Sequence, residues 1–126
     1  MKNDLSQNTK QKILVTGGCG YIGSHTIIDL LDEGYEVFSI DNYSNSSPET
    51  LDQIEAVTHH RIRNYDVDLR DKEKLFEVLK KEGPIAGIIH FAALKAVGES
   101  VEKPLEYYDN NINSLINILE VQRKFD

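Results

Sequence analysis

A single cysteine, Cys19, is all the thiol this chain of 126 residues offers. An internal disulfide is therefore excluded, and no Cys/His grouping has the spacing of a zinc site. Tryptophan is absent and apolar runs are short; the longest falls well below the roughly 20 residues that a membrane-spanning helix requires. Met1 to Gln11 lack the apolar centre of a secretory signal, so a cytoplasmic protein is expected. Positive charge is also scarce: 14 Lys and Arg stand against 21 Asp and Glu, a net charge of −7. With no basic field to gather phosphates or anionic lipid, neither nucleic acid nor membrane is an expected partner. An anionic small ligand has to be held by local geometry instead. What is present, 40% hydrophobic and 28% charged residues, is the composition of a globular chain rather than a disordered one. The length suits one small domain, roughly 150 residues being usual.

Residues 1–11 are polar and aperiodic and are expected to form a flexible tail, leaving 12–126 as the structured domain. From Lys12 onward, Ile13-Leu14-Val15, Val37 to Ile40, Ile62 to Val67 and Ile85 to Ala92 read as strands. The first and last are apolar enough to be buried on both faces. Their first apolar members lie 24, 25 and 23 residues apart. Helical patterns fill the gaps: Ile22, Ile27, Leu30 and Leu31 ending at Gly34, then Leu51, Ile54 and Val57, then Leu75, Val78 and Leu79 ending at Gly83-Pro84. A strand and a helix repeating at this interval imply parallel strands with right-handed crossovers, hence an α/β fold with a doubly wound parallel sheet.

The last helix is expected to run from Pro104 to about Phe125, with proline in its first turn. At 100° per residue it carries one apolar face, Leu105, Tyr108, Ile112, Leu115, Ile116 and Leu119, and one polar face, Glu106, Asp109, Asn113, Asn117, Glu120 and Lys124. A third stripe, Tyr107, Asn111, Ser114, Ile118, Val121 and Phe125, is apolar toward its C-terminal end. One apolar stripe is needed for the core. A second requires another partner, either a neighbouring helix or further chain, or a second subunit through paired helices.

Lys12 to His25 run a buried strand straight into a glycine-rich turn and then a helix. Two registers fit: Gly18, Gly20 and Gly23 spell G-x-G-x-x-G, and Gly17, Gly20 and Gly23 spell G-x-x-G-x-x-G. In either, an early glycine permits the tight turn, the middle one lets a pyrophosphate approach backbone, and Gly23 lets the helix lie close to the strand. Amides around Tyr21 and Ile22 then face the phosphates at the positive end of the helix. Asp41, at the end of the second strand, is placed to accept hydrogen bonds from the adenosine ribose and to repel a 2′-phosphate, favouring NAD over NADP. The lesser alternative is a turn residue before Asn42. Asp68, after the third strand, suits an adenine edge or mere solvation, and Phe91-Ala92-Ala93, after the fourth, suits close ligand passage or mere packing. His25, His59, His60 and His90 show no catalytic pairing, and no metal site is expected.

Thr16 to His25, Asp41 to Ser46, His90 to Ser100 and Lys103 to Asn111 closely resemble the UDP-glucose 4-epimerase family of extended short-chain dehydrogenases/reductases. The resemblance covers Lys12 to about Leu119, with Phe91 to Ser100 its most specific part. It implies a Rossmann-like fold truncated after about four strands, with NAD as cofactor. By resemblance, Gly17, Gly20, Tyr21, Ile22 and Gly23 bracket the pyrophosphate. Asp41, Asn42, Tyr43, Ser44, Asn45 and Ser46 surround the adenosine ribose and its phosphate, and Asp68 and Leu69 the adenine. Phe91, Ala92, Ala93, Leu94, Lys95 and Asn110 line the path to the nicotinamide. Ala93 replaces a glycine common in the family.

The chemistry implied is oxidation of the sugar C4 hydroxyl, rotation of the keto sugar and return of the hydride. It needs a Tyr-x-x-x-Lys base, yet none of the six tyrosines, at 21, 35, 43, 65, 107 and 108, has lysine four positions on. No catalytic residue is therefore assigned, and Lys95 is read as a cofactor-side donor. The UDP-sugar pocket of the family is likewise not expected here. The expectation is the N-terminal NAD-binding portion of an epimerase, inactive alone, marginally stable and self-associating through the apolar edge of its fourth strand. In the whole enzyme it meets a UDP-sugar and forms a homodimer through the 104–125 helix. A sister nucleotide-sugar epimerase, dehydratase or reductase is one alternative, and a non-catalytic nucleotide-binding or dimerising module another.

Overall fold

The structure is a computed structural model that describes residues 10–43, 47–92 and 102–125. Four strands, β1 (Lys12–Thr16), β2 (Glu36–Ile40), β3 (Arg63–Tyr65) and β4 (Gly87–His90), form one parallel sheet in the order β3-β2-β1-β4. Helices α1 (Tyr21–Asp32), α2 (Glu49–Thr58) and α3 (Lys72–Glu82) make the successive crossovers. Alternation along β1 and β2 divides the core between the two faces of the sheet. Val15 and Val37 pack with Ile27, Leu51 and Ile54 of α1 and α2. Leu14, Phe38 and Ile40 pack with Leu75, Val78 and Leu79 of α3 on the other side. This is the doubly wound arrangement expected from the sequence.

Two strands are shorter than their apolar runs. β3 stops at Tyr65 because the Val67 amide bonds back to the Tyr65 carbonyl at 2.9 Å, a three-residue turn that carries the chain out of the ladder. β4 covers Gly87–His90 rather than 85–92, with single bonds to β1 from the Ala86 amide (2.8 Å) and the Phe91 amide (3.0 Å) at its ends. It is half-buried throughout instead of buried on both faces, since it lies at the edge of the described sheet.

The expected continuous helix from Pro104 is broken. Helix α4 (Pro104–Tyr108) passes through a π-helical turn, Asp109–Asn113, into α5 (Ser114–Phe125). Asn113 Nδ2 donates to Asp109 Oδ1 at 2.7 Å across that turn. The wider turn shifts the phase of the side chains, so one wheel at a constant 100° does not describe both sides of it. The stripe that meets the core is the third one: Ser114, Ile118 and Val121 are buried, the latter two among α3 and β1 residues. Ile112, Leu115, Ile116 and Leu119 face outward and are 43–50% exposed. Among the described residues no helix is long and apolar enough to cross a membrane, and no cluster of His, Cys, Asp and Glu could hold a metal ion.

Candidate functional site

The chain steps from β1 outward to β2 and β3, then returns to place β4 on the other side of β1. The C-terminal ends of β1 and β4 therefore open onto a topological switch point, where parallel α/β sheets bind ligands. The glycine turn leaves β1 at this place. Gly17 has φ +72°, and its amide donates to the Ile40 carbonyl at 2.9 Å. A Cβ on Gly18 would lie 2.5 Å from that of Ser39, and one on Gly23 would lie 2.1 Å from the Gly17 carbonyl oxygen. Those three glycines serve the packing of the chain against itself, and the positive φ at Gly17 selects the G-x-x-G-x-x-G register.

Gly20 is different. Its backbone is extended, at φ −79° and ψ 176°, a conformation open to any residue. Among the described residues a Cβ there would meet only the Gly17 carbonyl oxygen, at an ordinary 3.4 Å. The fold does not require glycine at this position, while close approach of a ligand to backbone would. Helix α1 begins at the next residue without a side-chain cap, and among the described residues the amides of Tyr21 and Ile22 have no backbone acceptor. Tyr21 is 81% exposed, with its ring edge-on to His25 at 4.6 Å.

Asp41, the residue after β2, turns toward this loop. Its Oδ2 accepts from the Cys19 amide at 2.9 Å and its Oδ1 from the Tyr43 amide at 2.7 Å. The carboxylate thus joins the glycine turn to the β2 exit. The exit is held from below by Asn64, whose Nδ2 donates to the Asp41 carbonyl at 3.1 Å and to the Tyr43 hydroxyl at 2.9 Å. Beneath the loop, burial and then the Asp41 charge push the Cys19 thiol up to about 12, which leaves it protonated and inert near neutrality.

Asp68 has a partner that its place in the sequence did not suggest. Arg70 grips its carboxylate with Nε at 3.1 Å and a terminal nitrogen at 2.7 Å, and these bonds hold Asp68 below the usual carboxylate range. The other terminal nitrogen of Arg70 reaches Asp109 of the π-helical turn at 2.8 Å. Asn117 Nδ2 donates to the Leu69 carbonyl at 2.8 Å, fastening the same loop to α5. Phe91 and Ala92 leave β4 beside Gly17. The structure therefore gathers Gly17, Gly20, Tyr21, Ile22, Gly23, Asp41, Asn42, Tyr43, Phe91 and Ala92 along one edge of the sheet, with Asp68 and Leu69 following β3 at that edge. Ser44, Asn45, Ser46, Ala93, Leu94, Lys95 and the side chain of Asn110 lie outside the described residues.

Sequence reasoning gave Thr16 no role of its own and found no pairing for His90. Thr16 is fully buried at the end of β1, and its Oγ1 lies 2.6 Å from Nδ1 of His90 at the end of β4. The available signal was a hydroxyl closing an otherwise apolar buried strand, which demands an internal partner.

Residues 14–126 match the family described as GDP-mannose 4,6 dehydratase. The chain is 49% identical over 113 residues to a UDP-glucose 4-epimerase of Bacillus subtilis, an alignment covering 90% of this chain and 33% of that protein. It is 50% identical over 109 residues to the bifunctional protein GAL10 of Candida maltosa, covering 86% and 71% respectively. Among solved structures, the UDP-glucose 4-epimerase of Bifidobacterium longum, in complex with NAD+ and UDP, superposes with a TM-score of 0.87 at 50% identity, covering 91% of this chain and 34% of that one. The chain thus spans about one third of the length of the UDP-glucose 4-epimerases it matches. By this match and by its fold, the chain belongs to the GDP-mannose 4,6 dehydratase family, and its likeness within that family is to the UDP-glucose 4-epimerases.

Proposed function

We propose that this chain forms the NAD-binding part of an enzyme that interconverts UDP-glucose and UDP-galactose. The observation that carries the reading is Gly20: a side chain there would make no clash among the described residues, beside the amides of Tyr21 and Ile22. In this reading those amides, with Gly17, Gly20 and Gly23, hold the pyrophosphate at the positive end of α1. Asp41, kept facing the loop by the Cys19 and Tyr43 amides, accepts from the adenosine ribose and excludes a 2′-phosphate, with Asn42 to Ser46 around it. Asp68 and Leu69 take the adenine edge. Phe91 to Lys95 and Asn110 line the nicotinamide end. Bound there, NAD supplies a reversible hydride acceptor for the sugar C4 carbon. The proton transfer that accompanies it needs a base, and no tyrosine of these 126 residues is paired with lysine at the family spacing. The chain alone is accordingly inactive as an epimerase, and the base and the UDP-sugar pocket belong to further chain.

The B. longum relative was crystallised with NAD+ and UDP, and the Thermus thermophilus relative with NAD, which supports the choice of cofactor. The outward stripe Ile112, Leu115, Ile116 and Leu119 supports a homodimer through the 104–125 helix. The family description itself favours a second reading, a nucleotide-sugar dehydratase. Interconversion of the two UDP-hexoses by the full-length protein without loss of water from the sugar separates the two.

Calorimetry with NAD tests the site. Gly20→Ala is expected to melt as the wild type does and to bind NAD about tenfold or more weakly, a loss of roughly 1.4 kcal/mol or greater. Unchanged affinity in both Gly20→Ala and Asp41→Ala overturns the assignment.

A further inference from the structure

We infer that Thr16 and His90 are a positioning pair for the dinucleotide crevice, which fixes where the glycine turn stands against the segment leaving β4. The inference rests on the NAD-binding reading and adds to it two residues that do not touch the ligand. Thr16 Oγ1 accepts from the Ala92 amide at 3.3 Å and shares the Phe91 amide, at 3.0 Å, with the Thr16 carbonyl, also at 3.0 Å. A hydroxyl has two acceptor sites and one proton. With amides on its acceptor side, the hydroxyl is assigned as the donor to His90 Nδ1, 2.6 Å away. That assignment makes the imidazole neutral, with its own proton on Nε2. Burial, which lowers the His90 pKa, favours that state.

The pair is coupled to the phosphate end of the site by contacts without slack. A Cβ on Gly17 would lie 2.9 Å from the Ala92 nitrogen and 3.0 Å from the Phe91 carbonyl carbon, so Gly17 rests directly on the segment that Thr16 holds. The Gly17 carbonyl in turn receives the Gly20 amide at 3.1 Å and lies where a Cβ of Gly23 would clash. A shift of Phe91-Ala92 by a few tenths of an ångström therefore moves Gly17, and with it the first turn of α1, because close-packed backbone has no void to absorb it. Losing the hydroxyl would free the Ala92 amide and the imidazole together and leave the Phe91 amide on the Thr16 carbonyl alone.

The test uses the full-length protein, NAD titrated by calorimetry well below the melting temperature, and 15N NMR of the His90 ring. Thr16→Val keeps the shape of the side chain and removes the bonds of its hydroxyl; it is expected to weaken NAD about tenfold, whereas Thr16→Ser stays within about twofold of wild type. Wild-type Nδ1 should resonate as an unprotonated acceptor, and that signature should disappear in Thr16→Val. Asparagine places a carbonyl oxygen near Nδ1 and glutamine near Nε2, so His90→Asn should bind NAD more tightly than His90→Gln. This comparison decides the matter if Thr16→Val fails to fold. A pair that serves stability alone would lower the melting temperature in Thr16→Val and leave NAD affinity unchanged. That result, equal affinities for His90→Asn and His90→Gln, or a protonated Nδ1 overturns the inference while leaving the NAD reading intact. A wild-type protein that does not bind NAD overturns both.

Discussion

The residues of the glycine turn look alike in the sequence and differ in what requires them. Gly17, Gly18 and Gly23 lie where a side chain would strike backbone or core; Gly20 lies where it would strike almost nothing. A motif records only that glycine is present; the reason for it is a distance to another atom, far along the chain for Gly17 and Gly18 and within the turn for Gly23. Asp41 was legible as the acidic partner of the turn, but not that it grips the amide of Cys19. Nor was the consequence for Cys19, which is 3% exposed and has its thiol pushed up to about 12, first by burial and then by the Asp41 charge. Native protein at pH 8 is expected to leave Cys19 unmodified by a disulfide reagent that labels it promptly in denaturant. Labelling at similar rates in both conditions would mean that the turn opens freely.

At the level of elements, the strands and first three helices were readable because apolar periodicity reports which positions must leave water. The ends were less so: a single bond from the Val67 amide to the Tyr65 carbonyl stopped β3 before its apolar run did. The last helix shows the larger gap. Periodicity found both of its apolar stripes, and the structure buries the less continuous one, with Ile118 at 3% and Val121 at 1% exposure against 50% for Leu119. Hydrophobicity says that a stripe wants a partner; the turn at Asp109–Asn113 and the position of α3 say which stripe meets the core. Ile118→Ala is expected to cost about 2–4 kcal/mol in chemical denaturation by leaving a cavity. Ile116→Glu, on the outward stripe, is expected to change stability by less than about 0.5 kcal/mol and to reduce self-association in sedimentation. Loss of folding in Ile116→Glu, with Ile118→Ala tolerated, would reverse the assignment of the two faces.

Across the whole molecule, the two ends of the sheet carry different burdens. The C-terminal ends of the strands carry the candidate site. The opposite end is closed by Glu82, the last residue of α3, whose side chain is 2% exposed. Arg63 binds both of its oxygens at 2.8 Å, the Tyr65 hydroxyl donates to Oε2, and Lys12 Nζ lies 3.2 Å from Oε1. These bonds, Arg63 foremost, bring the carboxyl down to about 2 from its ordinary 4.5. A carboxyl with a depressed native pKa stabilises the fold above its unfolded value, and the contribution disappears as pH falls. The stability lost between about pH 4.5 and 2 should be roughly 3 kcal/mol. Acid titration of the denaturant midpoint should show this loss and Glu82→Gln should flatten it; identical profiles would mean that the cluster is electrostatically idle. The sequence by itself determined the parallel α/β class, the glycine turn at the end of β1 and the acid at the end of β2, because these follow from local periodicity and from conformations that only certain residues adopt. Tertiary structure alone decided which glycine the fold can spare, which stripe of the last helix is buried, and that Thr16 meets His90, Arg70 meets Asp68 and Asp109, and Glu82 meets Lys12 and Arg63. Most of those partners lie tens of residues apart in the chain, and polar pairing at such range is set by how the elements pack rather than by any spacing along it.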